Sequence, residues 1–399
     1  MHEHDTTGAR WTIDQLVVTD DGDEHVLGRP DLGAYVAVPA PGAVFVRALQ
    51  AGASVEEATA RASETAGEPV DGAQFLAGLT AAGLLDPSAE PENPRGRRIR
   101  WIEGVRPATA QRLFGAPAWC LYTVAALTSA GLLIGRPDLR PSFRDAFFLP
   151  DPLLSTLLFL VMSLLGGALH ETWHWLAGRA AGVPAAFRVS YRGFYLVFET
   201  DLTHLVALPR RRRYGPFLAG MAIDSTVLAG ALLLRLALPP STVGRVLGAL
   251  VLSTTFSLVW QFAAVFMRSD CYAVLANWLR CHNLYRTTQL VTRQRLWRLS
   301  PAEAAELAAT SDHDRRVAGW FGIVHVAGGL LLVWAFLTLA LPYLITMGTW
   351  MLANLRTLEP SSVAFWESVT VLVVLILQWA GPPLLAVRER RLRRAGLLR

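Results

Sequence analysis

Long apolar stretches alternate with arginine-rich polar stretches over the last three quarters of the chain. An apolar run of about twenty residues is long enough for a helix to cross the hydrocarbon layer of a membrane. We therefore predict about six spans, at residues 116–135, 153–178, 215–238, 245–268, 317–341 and 362–386. Residues 342–355 are also apolar but interrupted, which suits a re-entrant or an interfacial segment.

The pattern before the first span is that of a small soluble domain at residues 10–88. The stretch Gln15–Val18 is followed by acidic turn residues, and a similar stretch resumes near Tyr35–Val38. This arrangement predicts a β-hairpin.

Helical patterns follow the hairpin. One runs from Gly42 to Leu49. A second begins at Ser54, which has the capping-box spacing with Glu57, and a third follows Asp71, a predicted N-cap. A strand pair with three helices indicates a winged-helix-like α+β domain.

The predicted fold is therefore mainly α: a polytopic transmembrane helical bundle with a small N-terminal cytosolic domain. Residues 1–9 are expected to be disordered, and the Pro/Arg-rich segment 89–115 to be a linker. The transmembrane domain covers residues 116–386, and 387–399 form a basic cytosolic tail.

Composition and charge agree with a protein of the lipid bilayer. The chain has 399 residues, of which 52% are hydrophobic and 17% charged. Its net charge of +5 is concentrated in the segments 179–214 and 269–316 and in the C-terminal tail. The positive-inside rule then places both termini in the cytosol and explains the basic charge without a nucleic-acid partner. The polar N-terminus is not that of a signal peptide, and the three cysteines indicate no disulfide framework.

The segment 185–203 alternates like an amphipathic hairpin. It is either an ordinary surface hairpin or a strand edge that captures an extended peptide by β-augmentation. The sequence leaves both open.

The pentapeptide His170-Glu171-Thr172-Trp173-His174 lies near the end of the second predicted span. Histidines at i and i+4 lie on one face of a helix, so both imidazoles can reach a single Zn²⁺ ion. Glu171 can act as the general base toward a water molecule at the metal. Because ionisable residues are costly inside a membrane helix, the motif favours a zinc site over a coincidental pair of histidines.

A catalytic zinc needs a third protein ligand, and the predicted topology offers Asp270. The second and fourth spans run in the same direction, so His174 and Asp270 lie at similar depth near the cytosolic face. Asp270 can thus close the site. The alternative is a helix-end aspartate that pairs with Arg268.

These motifs resemble the site-2-protease-like membrane zinc metallopeptidases, in particular their peptide zinc metalloprotease branch. The resemblance covers residues 153–280 and rests on His-Glu-x-x-His in a span, followed by Asp270-Cys271-Tyr272 at a helix end. It implies an endopeptidase with zinc on the two histidines and the aspartate, and with the glutamate as catalytic residue. The branch has glycine in place of Cys271, where it permits a tight bend.

The segment Leu218–Asp224 resembles the Ala-Gly-Pro-x-x-Asn segment of the same family, with Asp224 at the asparagine position. This implies that Asp224 lies beside the active site, where it binds the substrate backbone or supports a metal ligand. A buried polar residue bonded to a neighbouring helix is the other explanation.

Three further residues remain open. His325 and Glu367 are ionisable residues in predicted spans, which makes them functional candidates, although hydrogen bonding between helices is the simpler explanation. Cys271 is either an additional metal ligand or a small buried residue.

The N-terminal domain resembles the PqqD-type peptide-recognition domains in its hairpin, in Pro41–Val44, in the run Ser-Val-Glu-Glu-Ala and in Gly83–Leu85. The resemblance implies that it binds the leader of a ribosomally synthesised, modified peptide by adding a strand to the hairpin edge. A generic winged helix is the alternative.

Together the resemblances imply a zinc endopeptidase of a bacterial cytoplasmic membrane that removes the leader from a precursor peptide or matures it. A transporter or peptide-modifying enzymes are further candidate partners. One alternative is a regulated intramembrane protease that cuts a membrane-anchored regulator such as an anti-sigma factor. Another is a non-catalytic, metal-binding export or immunity protein.

Overall fold

Three short strands lie near the start of the part of the chain that this computed structural model describes. The structure describes residues 13–21, 24–30, 32–85, 105–183, 185–192, 195–238, 241–281, 283–373, 376 and 391. The predicted disordered segment 1–9, the linker residues 89–104, the end of the sixth predicted span and the basic tail apart from residue 391 lie outside this range.

The chain divides into two compact units. The N-terminal unit consists of Met1–Gln111, Trp175–Arg188 and Thr200–Pro216. The membrane unit consists of Arg112–His174, Val189–Glu199 and Phe217–Arg399.

In the N-terminal unit, strands β1 (Val17–Asp21), β2 (Glu24–Arg29) and β3 (Ala34–Val38) form an antiparallel sheet with β2 in the centre. The expected direct hairpin between the first and last of these strands is therefore wrong. The acidic residues around β2 look like a turn in the sequence, but Leu27 and Arg29 of β2 are buried, and the Arg29 guanidinium donates to the carbonyl of Leu84 at 3.2 Å.

Three helices pack on one face of this sheet: α1 (Ala40–Gln50), α2 (Val55–Ala66) and α3 (Gly72–Ala81). The capping box predicted for α2 is confirmed, because Ser54 accepts from the Glu57 amide and Glu57 accepts from the Ser54 amide. The Asp71 cap of α3 is also confirmed, with the Gln74 amide donating at 2.9 Å.

The opposite face of the sheet is covered by the 3-10 segment Thr203–Ala207. The Thr19 hydroxyl donates to the Ala207 carbonyl at 2.7 Å, and the Tyr35 hydroxyl lies 2.8 Å from His204 Nδ1. Both faces of the sheet are thus occupied. Within the described residues, the outer edges of β1 and β3 pair with no other strand.

The remaining elements belong mostly to the membrane unit. In chain order the helices are α4 (Pro107–Arg112), α5 (Ala116–Gly135), α6 (Pro152–Ala181), α7 (Arg210–Ala237), α8 (Thr242–Ala263), α9 (Asp270–Trp278), α10 (Leu284–Leu296), α11 (Pro301–Ala308), α12 (Asp312–Ala335), α13 (Leu341–Arg356) and α14 (Val363–Val373). Strands β4 (Ala186–Arg192) and β5 (Tyr195–Asp201) form a two-stranded sheet between α6 and α7, at the place of the predicted hairpin.

Among the described residues, five helices are long and apolar enough to cross a membrane. They are α5, α6, α7, α8 with its 3-10 continuation to Met267, and α12 with its continuation to Arg356. The sixth predicted span begins as α14, and its second half lies outside the described residues. The chain is therefore a mainly helical membrane protein with a small N-terminal sheet.

The fifth apolar helix is longer than predicted, because α12 continues through a π-helical turn at Phe336–Ala340 into α13. The 45 residues from Asp312 to Arg356 would extend about 68 Å if straight, more than twice the roughly 30 Å hydrocarbon layer. Tyr343 of α13 lies 2.9 Å from Thr156, near the start of α6. Length and position together favour the interfacial alternative for residues 342–355.

Polar contacts and one close backbone approach hold the spans together. Ser163 of α6 and Ser253 of α8 share a hydrogen bond of 2.9 Å. Gly328 lets α12 approach α8 closely, because a Cβ at this position would lie 2.2 Å from the Ala263 carbonyl oxygen. Small residues and interhelical hydrogen bonds are the usual means by which helices associate in lipid.

Candidate metal centre

Three side chains from two segments converge in the membrane unit: His170 and His174 of α6 and Asp270 at the start of α9. Asp270 Oδ2 lies 2.9 Å from Nε2 of each histidine, and the two Nε2 atoms lie 3.1 Å apart. The histidines are buried, whereas the side chain of Asp270 is 25% exposed, so the cluster opens to the surface of the structure at the aspartate. This group can hold a metal ion.

A break between α8 and α9 brings Asp270 to the histidines. The 3-10 turn after α8 ends at Arg268, which has a left-handed backbone with φ of 59°. Ser269 then caps α9 by accepting from the Tyr272 amide, which makes Asp270 the first residue of a new helix. The sequence places Asp270 at the end of a span, and the structure adds the turn that directs its carboxylate toward His170 and His174.

The tight bend that the resemblance implied at Cys271 is absent there. The sharp bend lies at Arg268, whereas Cys271 is already in the regular helix α9. Burial raises the pKa of the Cys271 thiol, and the adjacent Asp270 carboxylate raises it further. Cys271 also packs against the apolar cluster that contains Val265 and Phe321, which favours its explanation as a small packing residue.

Electrostatics keep Asp270 ionised, as a metal ligand must be. Burial by itself would raise the pKa of Asp270. The attraction of His174 and the hydrogen bonds with His170 and His174 outweigh this effect, and they hold the pKa of the carboxyl far below its usual value.

Asp224 of α7 fixes the orientation of the first histidine. Its Oδ2 lies 2.9 Å from His170 Nδ1 and accepts from the Ser257 hydroxyl at 2.8 Å. Because this carboxylate can accept a proton from Nδ1, a neutral His170 would present the lone pair of Nε2 to a metal ion in the cluster. A carboxylate behind a metal-binding histidine typically sets its tautomer and raises its basicity.

Gln261 and Ser257 of α8 complete the surroundings and were not identified from the sequence. The Gln261 side-chain oxygen accepts from the Asp270 amide at 3.0 Å, and its Nε2 lies 3.4 Å from His170 Nε2. The two residues lie four positions apart in an apolar span and therefore share a helix face. That spacing is the signal by which both could have been found.

Gly220 of α7 leaves the space in which the ligand atoms meet. A Cβ at Gly220 would lie 2.3 Å from His170 Nε2 and 2.5 Å from His174 Nε2. Ligand atoms about 2.0–2.1 Å from a tetrahedral zinc ion are roughly 3.3 Å apart, close to the separations found here. A small divalent metal ion therefore fits the three donor atoms, the distances between them and the space left at Gly220.

Gly220→Ala is expected to weaken zinc binding at least about tenfold, because the new methyl group displaces both imidazoles from their shared centre. The matched control is Gly230→Ala on the same helix, where a Cβ meets nothing within 4 Å. Zinc affinity is measured by competition with a fluorescent chelator. Equal affinities of Gly220→Ala and wild type would contradict this geometry.

Asp224→Asn is expected to lower zinc affinity by about 10–100-fold, the usual cost of losing a carboxylate behind a histidine ligand. The amide is neutral and can offer a proton to Nδ1, which favours the wrong tautomer of His170. Thr226→Val is the control, since the Thr226 hydroxyl bonds within its own helix to Ala222. The same chelator competition measures both variants, and unchanged affinity of Asp224→Asn would remove Asp224 from this role.

Glu171 lies between the two histidines in sequence and is partly buried. Residues at i and i+3 of a helix are neighbours, roughly 5–6 Å apart at Cβ, so Glu171 lies beside His174. Glu171 is thus adjacent to the three ligand atoms but is not itself a ligand.

The other ionisable candidates lie apart from this centre. Glu367 interacts with Asp151, which directly precedes α6. His170 is about 27 Å farther along that helix. His325 packs against the rings of Phe321 and Tyr285, and its buried Nε2 has no hydrogen-bond partner among the described residues.

Comparison of the whole chain with protein-family models, with curated proteins and with solved structures gives no match in any of the three.

Proposed function

We propose that this chain is a membrane-embedded zinc endopeptidase. The observation that carries the proposal is the convergence of two histidine nitrogens and one carboxylate oxygen within 3.1 Å, with Glu171 next to the first ligand. Two imidazoles and one carboxylate, with a fourth position left open, are one of the usual ligand sets of catalytic zinc. Bound zinc would polarise the scissile carbonyl and acidify a water molecule.

The residues around the centre have distinct tasks in this proposal. Glu171 accepts a proton from the attacking water and returns it to the leaving amine. Asp224 and Ser257 hold His170 in the tautomer that binds metal, and Gln261 holds the backbone at Asp270. The exposed side of Asp270 is the route by which water and an extended peptide approach.

The proposed substrate is a precursor peptide that carries a leader sequence. Both faces of the N-terminal sheet are covered, and the outer edges of β1 and β3 pair with no other described strand. A peptide would add along one of these edges as a further strand. The arginine-rich segments next to the spans support a bacterial cytoplasmic membrane with both termini in the cytosol. A transporter or peptide-modifying enzymes would act together with the proposed peptidase.

Metal removal tests the proposed activity. The full chain in lipid nanodiscs is incubated in ¹⁸O-labelled water with a pool of synthetic peptides of randomised sequence. Mass spectrometry is expected to detect new peptide ends whose new carboxyl group carries one ¹⁸O atom. Chelation should abolish their formation, and added Zn²⁺ should restore it.

Undiminished hydrolysis by the metal-free protein would overturn the zinc mechanism. Stoichiometric zinc without any cleavage would instead favour a non-catalytic metal-binding protein. If a single-span membrane peptide replaces the random pool, its cleavage would identify a protease that cuts membrane-anchored regulators.

A further inference from the structure

A second group of metal-binding side chains lies at the other end of α9, outside the centre described above. Cys281 follows α9, and His313 and Asp314 belong to the first turn of α12. One ligand atom of each, namely a sulfur, an imidazole nitrogen and a carboxylate oxygen, lies within 4.8 Å of the others. Cysteine, histidine and aspartate are all zinc ligands.

The chain turn after α9 fixes the position of Cys281. Its amide donates to the Ala276 carbonyl at 3.1 Å, and the Arg280 amide donates to the Asn277 carbonyl at 3.3 Å. This pair of bonds is a Schellman motif, which normally has glycine at its left-handed position. Here Arg280 adopts that backbone with φ of 56°, and the turn directs Cys281 toward the start of α12.

One backbone carbonyl orients both the cysteine and the histidine. The Leu279 oxygen lies 2.8 Å from His313 Nε2 and 3.5 Å from Cys281 Sγ. Because a carbonyl can only accept, Nε2 of His313 carries the proton in this contact. The lone pair of a neutral His313 is then on Nδ1, the nitrogen that would bind a metal.

Asp314 is buried, although it occupies a position at which acids usually cap a helix. At the same third position of other serine-capped helical segments, Glu57, Asp145 and Glu303 each accept from the serine amide. In α12 the Ser311 hydroxyl accepts from the Asp314 amide, but among the bonds of the described residues the return bond does not form. The Asp314 carboxylate lies instead with Cys281 and His313.

Asp314 is buried beside a thiol and an imidazole, and burial of a carboxylate is costly without a compensating charge. A divalent cation would supply it, and the thiol would lose its proton to solvent when the ion binds. His313 is exposed, so the ion can enter from water. Three protein ligands leave one position for a water molecule.

We propose that Cys281, His313 and Asp314 bind a second zinc ion. The ion joins the end of α9 to the start of α12. Because α9 begins at Asp270, this link also steadies the helix that carries the third ligand of the first centre. The proposal does not depend on peptidase activity.

Cobalt(II) alone is the probe for this site, because a thiolate ligand gives cobalt a ligand-to-metal charge-transfer absorption that imidazole and carboxylate do not. The parent protein for this experiment is the full chain with the substitutions His170→Ala and His174→Ala, which remove the first centre. This protein is expected to bind one equivalent of Co²⁺ with the thiolate band. Cys281→Ser should abolish the band, whereas Cys271→Ser and Cys120→Ser should retain it.

His313→Ala provides an independent test at an exposed position, where a folding defect is not expected. It should weaken cobalt binding at least tenfold while circular dichroism remains unchanged. Absence of the thiolate band in the parent protein, its survival in Cys281→Ser, or unchanged affinity in His313→Ala would each overturn the proposal.

Discussion

Glu171→Gln is expected to lower the rate of peptide hydrolysis by roughly 10²–10⁴-fold, the usual contribution of a positioned general base. The amide keeps the size of the side chain but cannot accept the proton of the attacking water. The ligand atoms of His170, His174 and Asp270 are untouched, so zinc content should remain that of the wild type. The measurement is the rate of ¹⁸O incorporation into new peptide carboxyl groups, with zinc determined on the same samples.

The matched control is Glu367→Gln, the same substitution at a carboxylate in α14 that interacts with Asp151 rather than with the metal centre. It should hydrolyse peptides at the wild-type rate. If Glu171→Gln also retained the wild-type rate, Glu171 could not be the base of this reaction.

Asp270→Ala is expected to reduce zinc content by one equivalent and zinc affinity at the first centre by more than about 100-fold. Loss of a carboxylate that only supports a ligand lowers metal affinity about 10–100-fold. The loss should be larger for Asp270, because its oxygen belongs to the centre itself. The helix itself should persist, because Ser269 caps α9 and the Asp270 amide bonds to Gln261, two contacts that need no side chain at position 270.

Asp138→Ala controls for the loss of one carboxylate elsewhere in the membrane unit, since Asp138 is exposed and pairs with Arg136. Zinc content is measured by inductively coupled plasma mass spectrometry after dialysis. Full retention of zinc by Asp270→Ala would remove Asp270 from the ligand set.

Features set by neighbouring residues could be predicted from the sequence. The caps at Ser54 and Asp71 depend on contacts three residues away, and the pairing of His170 with His174 depends only on helical periodicity. The first four spans follow from the length of apolar runs alone. Asp270 required one further step, the threading of the chain through the membrane.

Features set by tertiary packing could not be predicted. β2 contains acidic and basic residues, and it becomes a central strand because both neighbours pair with it and Leu27 reaches the core. Gly220 matters because a distant pair of histidines lies against its backbone. Likewise, the bend before α9 falls on Arg268, a residue type that gives no local sign of a left-handed backbone.

Anomalous X-ray scattering at the zinc absorption edge locates the metal independently of activity and so tests the assignment of the zinc ligands. In crystals of the zinc-loaded full chain, we expect a strong peak about 2.0–2.2 Å from Nε2 of His170, Nε2 of His174 and a carboxylate oxygen of Asp270. Zinc-loaded crystals with no peak between these three residues would contradict this assignment.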